Sequence, residues 1–210
     1  FLLLHTRMIL VFLSTHGSAI EASSRLQSQL DLFEVWCDTW RIKVNSTKCS
    51  HITFTLKSSS CPPVTFYNTF IQNTTTVKYL GMHLDKSLTW SDHIKAKRKH
   101  LDLKVKKMYW LFKSGSGLSL ENKLLLYKVI IKPIWTYGIV LWGCACKSSV
   151  NIIQAFQSKT LRLISGAPWF VRNTLIHRDL NMPNVMDEIR NFSTKHLERA
   201  DTHSNDLEHN

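Results

Sequence analysis

The sequence predicts an α+β fold: a mixed half of helix and short strands over residues 1–90, followed by helices. Short runs biased toward β-branched and aromatic residues fall between Ile42 and Leu84, broken by Ser, Asn, Gly and Pro, which is the pattern of short strands and turns. After Trp90 the apolar residues recur at helical spacing instead. The basic charge also rises abruptly at the same point.

Residues 18–41 read as the first helix. Ser18 with Glu21 three residues on fits a capping box, and Ile20, Leu26, Leu30, Phe33, Trp36, Cys37 and Trp40 follow at roughly helical spacing. Ile42–Val44 and Ile52–Leu56 then read as strands around an Asn45-Ser46 turn. The Ser-rich stretch 57–63 ends in Pro62-Pro63 and reads as a loop. Val64–Phe66, Thr69–Ile71 and Val77–Leu84 are expected as short antiparallel strands. A helix over 91–114 starts at Ser91 or Asp92 and carries Ile94, Leu101, Val105, Met108 and Leu111 on one face. Ser119 caps the next, through about Ile131, where Pro133 breaks or kinks it. Ser148 or Ser149 starts a third, through Ser165, and a fourth runs from about Val185 to Arg199. No internal repeat is visible, and the tail from about Thr194 is expected to fray.

The chain has 210 residues, 27 Lys plus Arg and 15 Asp plus Glu, a net charge of +12. That balance points to nucleic acid or another anionic surface. Residues 1–90 hold 8 basic and 5 acidic side chains, residues 91–132 hold 11 and 3, and residues 133–210 hold 8 and 7. Two thirds of the excess therefore sits in 42 residues, the density expected of a surface facing phosphates. Seven Gly and five Pro exclude collagen-like and low-complexity classes. The five cysteines are odd in number and contain no C-x-x-C pair, so buried free thiols in a reducing compartment are expected rather than a disulfide framework or zinc site. The opening FLLLHTRMILVFL is about 13 residues long and interrupted by His5 and Arg7, too short for a span of about 20 apolar residues. It also lacks the layout of a signal peptide. No membrane partner is expected, and the location is expected to be intracellular, cytoplasm or nucleus. The first methionine is Met8, which suggests a piece of a longer chain.

The segment KYLGMHLDKSLTWSDHI (78–94) resembles the hairpin that follows the polymerase active site in reverse transcriptases of non-LTR retrotransposons. WCDTWRIKVNSTKC (36–49) resembles the helix and strand after that family's catalytic turn. KPIWTYGIVLWGCA (132–145) and QSKTLRLISGAPWFVRNTLIHRDLNMP (157–183) resemble the stretch beyond the thumb in jockey-like elements of arthropods. The four motifs stand in the family's order and together cover about residues 10–200.

The resemblance implies a partial palm over 1–90, a helical thumb over 91–166, and a post-thumb linker with a frayed tail over 167–210. The fingers and the earlier palm, with its own catalytic aspartate, would lie outside this chain. The implied partners are an RNA template and a DNA primer, held by sequence-independent phosphate contacts, together with the missing N-terminal part of the polymerase. Lys95, Lys97, Arg98, Lys99, Lys104, Lys106 and Lys107 would supply the charge. The bland alternative is a solvated helix face. Like charges such as Lys97 and Lys104 repel at helical spacing, which favours an incoming anion. Tyr79, Leu80 and Gly81 would form a primer grip, with a bulged glycine as the alternative. Lys48 falls where the family places a lysine able to protonate departing pyrophosphate; a plain surface lysine is the alternative. Trp135, Trp142 and Trp169 could stack on bases but are expected in the core. His177-Arg178-Asp179 lacks a companion carboxylate or nucleophile and is expected to be a capping or salt-bridged turn.

The intact family holds two Mg²⁺ with an adjacent Asp-Asp in a Tyr-Ala-Asp-Asp turn. At the matching position this sequence reads His5, Thr6, Arg7, Met8, Ile9 and Leu10, and no carboxylate precedes Glu21. A two-base skip in permitted codons for those residues restores Tyr-Ala-Asp-Asp-Thr, so a frameshifted or mispredicted relic is expected. No catalysis and no cofactor are expected of this chain. A stand-alone basic helical module binding RNA or DNA is the rival reading, and an anchor at residues 1–13 a second.

Overall fold

A computed structural model describes residues 10–45, 48–56 and 61–202. The chain divides into two compact units, the first made of residues 1–77 and 85–88, the second of 78–84 and 89–210. Fold class is mixed, as expected: nine α-helices and six short strands among the described residues.

In the first unit, α1 (Ala19–Thr39) packs on a short hairpin. Ser18 occupies the cap position in extended conformation, but its side chain makes no capping hydrogen bond, so the capping box is not formed. Tertiary contacts hold the helix instead. The Gln27 side-chain amide both donates to the Thr65 carbonyl (3.1 Å) and accepts from the Thr65 amide (2.8 Å), and the Ser23 hydroxyl donates to the Pro62 carbonyl. The strands β2 (Thr65–Phe66) and β3 (Thr69–Phe70), which follow β1 (Ser50–His51), pair antiparallel across Tyr67-Asn68, both at positive φ. Leu30, Val64 and Phe66 form a small core with Phe33 and Ile71 against them. The outer face of α1 leaves Ile20, Leu32, Val35 and Trp40 exposed.

Two strand expectations fail here. Ile42–Val44 and Ile52–Leu56 lie in no strand; β1 precedes the latter stretch and pairs parallel, not antiparallel, with β4 (Gln72–Asn73). The Thr55 amide donates to the Lys86 carbonyl, but no strand is paired over Ile52–Leu56.

The second unit is built on α7 (Lys147–Ser165), preceded by α2 (Ser91–Lys107), α3 (Tyr109–Phe112), α4 (Leu120–Leu126), a π-helical turn (Tyr127–Ile131), α5 (Lys132–Thr136) and α6 (Ile139–Trp142). It is completed by α8 (Asn173–Asp179) and α9 (Val185–Asp201). One core runs from Met82 to Ile189 and includes Phe112, Tyr127, Trp135, Trp142 and Phe156. The helix expected over 91–114 is interrupted at Met108. Ser119 caps α4 as expected, its hydroxyl accepting from the Asn122 amide. Pro133 does not break the run. A proline removes an N–H and crowds the carbonyl four residues back; the wide π turn before it takes up that conflict, and Pro133 sits in the first turn of α5.

α7 buries nine of its nineteen residues, and several of its polar side chains have partners. Gln157 donates to the Pro183 carbonyl, and Ser158 and Gln154 meet Nε2 of His177 at 3.2 and 3.3 Å. Arg178 and Asp179 pair at 3.3 Å, as a salt-bridged reading expects, but on a helix rather than in a turn, and His177 is an internal clamp on α8, its Nδ1 lying 3.0 Å from the Met182 carbonyl. The cysteine expectation holds only in part. Cys37 is buried and Cys49 and Cys61 half-buried, but Cys144 and Cys146 are exposed because they flank the start of α7; all five are free thiols. Among the described residues no helix is long and apolar enough to cross a membrane.

Candidate nucleic-acid interface

α2 has an inward face set by its apolar period and an outward face set by lysines. His93, Ile94 and Leu101 are fully buried on the inner side. Asp92 lies in the first turn and Lys104, Lys106 and Lys107 in the last, a distribution matched to the helix dipole.

The seven cations expected to grip phosphates separate into two groups. Lys97 is half-buried: Nζ donates to the Ile134 carbonyl at 2.9 Å and lies 4.9 Å over the Tyr137 ring. Burial pushes its ammonium below the ordinary lysine value. Arg98 also turns inward. It donates to the Ile152 carbonyl at 3.0 Å, pairs with Asp102 at 2.8 Å and covers the Phe156 ring, so it fastens α2 to α7. Lys95, Lys99, Lys106 and Lys107 are exposed and Lys104 is half-exposed. Lys95 faces Asp92 only at 3.8 Å, with both side chains in solvent, so its charge remains available.

β5 (Thr76–Tyr79) and β6 (Met82–Asp85) pair across a two-residue turn. Leu80 and Gly81 have φ of 45° and 79°, the signs of a type I′ hairpin turn. Gly81 is therefore a turn residue, not a bulge. The tip is fixed from outside: the Tyr137 hydroxyl donates to the Leu80 carbonyl at 2.7 Å. Gly138, at φ 69°, sits against Met82 so closely that an added Cβ would lie 2.7 Å from the sulfur. His93 accepts from the His83 amide at 3.2 Å and holds the second arm. Burial, then the charges of Lys97 and His83, push the His93 imidazole down to about 4, so it is neutral near pH 7.

Of the tryptophans weighed for base stacking, Trp135 and Trp142 are buried in the core as expected, whereas Trp169 is 88% exposed. Trp110 is also exposed on α3 and was not singled out by sequence; it lies off the apolar face of the preceding helix. Lys48 is exposed. His5, Thr6, Arg7, Met8 and Ile9 lie outside the described residues; Leu10 is half-exposed. Among the described residues no three His, Cys, Asp or Glu side chains converge on one point. Among the described residues no set of side chains fits a two-Mg²⁺ site.

Comparison with known proteins gives the class. The chain is 44% identical over 187 residues to a Drosophila melanogaster protein described as "Probable RNA-directed DNA polymerase from transposon X-element". It is homologous to a stretch of mobile-element RNA-directed DNA polymerases. It is also similar to the jockey polymerases: it is 40% identical over 195 residues, 93% of its length, to the RNA-directed DNA polymerase from mobile element jockey of Drosophila melanogaster, and 40% identical to that of Drosophila funebris. The chain spans about a fifth of the length of these relatives. No family model matches it, and no solved structure does.

Proposed function

We propose that this chain is the palm-end, thumb and post-thumb portion of a jockey-like RNA-directed DNA polymerase, and that it holds an RNA template and DNA primer without performing nucleotide transfer. The observation that carries this reading is the outward face of α2. Lys95, Lys99, Lys106 and Lys107, with Lys104 beside them, stand on a helix locked from behind by Lys97 and Arg98. A rigid row of cations with no base-reading side chain suits backbone contacts made irrespective of sequence. Residues 1–90 are read as palm, 91–166 as thumb and 167–210 as the segment beyond it.

The hairpin tip at Tyr79, Leu80 and Gly81 is read as the primer grip. Its positive-φ turn brings backbone, not side chain, to a strand end. Lys48 is read as the lysine facing departing pyrophosphate in the intact polymerase. The exposed apolar side of α1 is read as the face that meets the preceding part of the polymerase. The setting is read as intracellular, in cytoplasm or nucleus.

Primer extension on a primed RNA template with Mg²⁺ tests the division of labour. The chain is expected to give no incorporation above a protein-free control while shifting the same template–primer in a binding assay. Incorporation would overturn the non-catalytic reading. Absence of binding would overturn the thumb reading.

A further inference from the structure

We infer that the second unit carries a separate platform for single-stranded nucleic acid, built from a cationic cavity and the aromatic turn fastened to it. The cavity, about 350 Å³, lies between α3 and α7 and is lined by Tyr109, Lys113, Lys159, Arg162, Gly166 and Ala167 among others. Three of its side chains are cations and none is acidic. The lack of acids extends along the chain: between Asp102 and Asp179 only Glu121 is acidic.

Arg162 links the cavity to the aromatics. Its guanidinium donates to the carbonyls of Pro168 and Val171 and to the Asn173 side chain, the last two at 2.6 and 2.8 Å. One cation that lines the cavity thus anchors both ends of the turn 168–171, which the Val171 amide closes onto the Pro168 carbonyl. Between those anchors stand Trp169 and Phe170, 88% and 68% exposed, with rings edge to face at 6.0 Å. Tyr109, on the cavity wall, is exposed as well.

The chemistry selects the occupant. A purely apolar partner would cover Trp169 and Phe170 but would desolvate Lys113, Lys159 and Arg162 without an anion in return. A nucleic-acid strand offers a phosphate to the cavity and a base face to the rings. A duplex hides its base faces in the stack; a single strand exposes them. Cations that track the backbone beside stacking aromatics are the working parts of sequence-tolerant single-strand sites. None of these side chains belongs to α2, so this site and the proposed duplex grip stand or fall separately.

The test uses the full chain and fluorescence anisotropy with two probes, a labelled oligouridylate of about 12 nucleotides, within the range of known single-strand sites, and a blunt RNA–DNA hairpin duplex. Trp169→Ala is expected to weaken oligouridylate binding roughly tenfold, the loss of one base stack, and to leave duplex binding within about twofold. Lys113→Gln with Lys159→Gln is expected to flatten the single-strand salt slope by about 1.4, two phosphate contacts at ~0.7 each. Saturating oligouridylate should quench tryptophan emission in the native chain and less so in Trp169→Phe. Trp169 is too exposed for its replacement to disturb the fold, which circular dichroism checks. Unchanged oligouridylate affinity in Trp169→Ala, or equal loss on both probes, overturns the proposal. So does a change confined to sedimentation behaviour or to binding of phosphatidylserine vesicles, which would assign the patch to a second copy or to a lipid surface.

Discussion

The Tyr137 hydroxyl donates to the Leu80 carbonyl at 2.7 Å, joining the end of α5 to the tip of a hairpin 57 residues earlier. The same tyrosine ring lies under the Lys97 ammonium. One side chain therefore couples the basic helix to the turn read as the primer grip. Tyr137→Phe keeps the ring and removes the bond. We expect a loss of about 0.5–1.5 kcal/mol in urea unfolding and faster amide exchange at 80–82. Unchanged exchange there would show that the bond does not hold the tip.

Leu80 stands at positive φ, where a type I′ turn favours Asn before Gly. Leu80→Asn is expected to stabilise the chain by about 1 kcal/mol, since an L side chain without local hydrogen bonding loses about 1–2 kcal/mol in that region. A lower thermal midpoint would show that Leu80 packs usefully despite being exposed.

The inward turn of Lys97 and Arg98 sets the salt dependence of duplex binding. Four or five available lysines predict a slope of log K against log salt near about −4. Neutralising Lys95, Lys99, Lys106 and Lys107 to Gln should remove most of that slope at little change in stability. Arg98→Gln should do the reverse, lowering stability because the Ile152 carbonyl and the Phe156 ring lose their partner. A slope equally sensitive to both sets would contradict the assignment.

His93 makes stability depend on pH. Below pH 6.5 the unfolded chain binds a proton at this residue, whereas the folded chain does so only near 4. The unfolded state then holds more protons, so stability is present above the window and lost as pH falls through it. The loss is on the order of 3 kcal/mol. Urea midpoints of the native chain and His93→Gln should diverge at high pH and converge toward pH 4; parallel curves would exclude His93 as the cause.

Lys132 and Glu188 form a largely buried pair at 2.5 Å between α5 and α9. Lys132→Ala strands a buried carboxylate, a change worth about 3–5 kcal/mol. Lys132→Met with Glu188→Leu should recover most of the loss. Failure of the double variant to recover would mean that the pair sets the packing of α9 rather than merely tolerating burial.

The two ends of legibility are visible in single residues. Ser119 was readable as a cap because the signal and its bond lie three residues apart. The basic face of α2 was readable as a face, from the period of Ile94, Leu101 and Val105. Ser18 looked like an equally good cap, yet the helix it precedes is held by Gln27 on Thr65, a partner 38 residues away. Pro133 looked like a helix end, yet the run continues through a π turn packed by Tyr127 and Ile131. The strands at 42–44 and 52–56 failed because a strand exists only with a partner, and β propensity names no partner.

By itself the sequence determined the mixed fold class, the position of the basic block, most helices after residue 90, and the similarity to a stretch of jockey-like polymerases. Each rests on patterns that repeat within a few residues or on identity along the chain. Only the tertiary structure decided which cations are free. Lys97 and Lys99 differ little in sequence context, but one donates to a carbonyl 37 residues away and the other faces water. It also decided that Trp169 is bare while Trp135 and Trp142 are buried, and that Arg162 lies at the base of the turn that presents it. The reason is physical: periodicity selects the face of a helix, but charge and solvent exposure are settled by whatever distant backbone packs against that face.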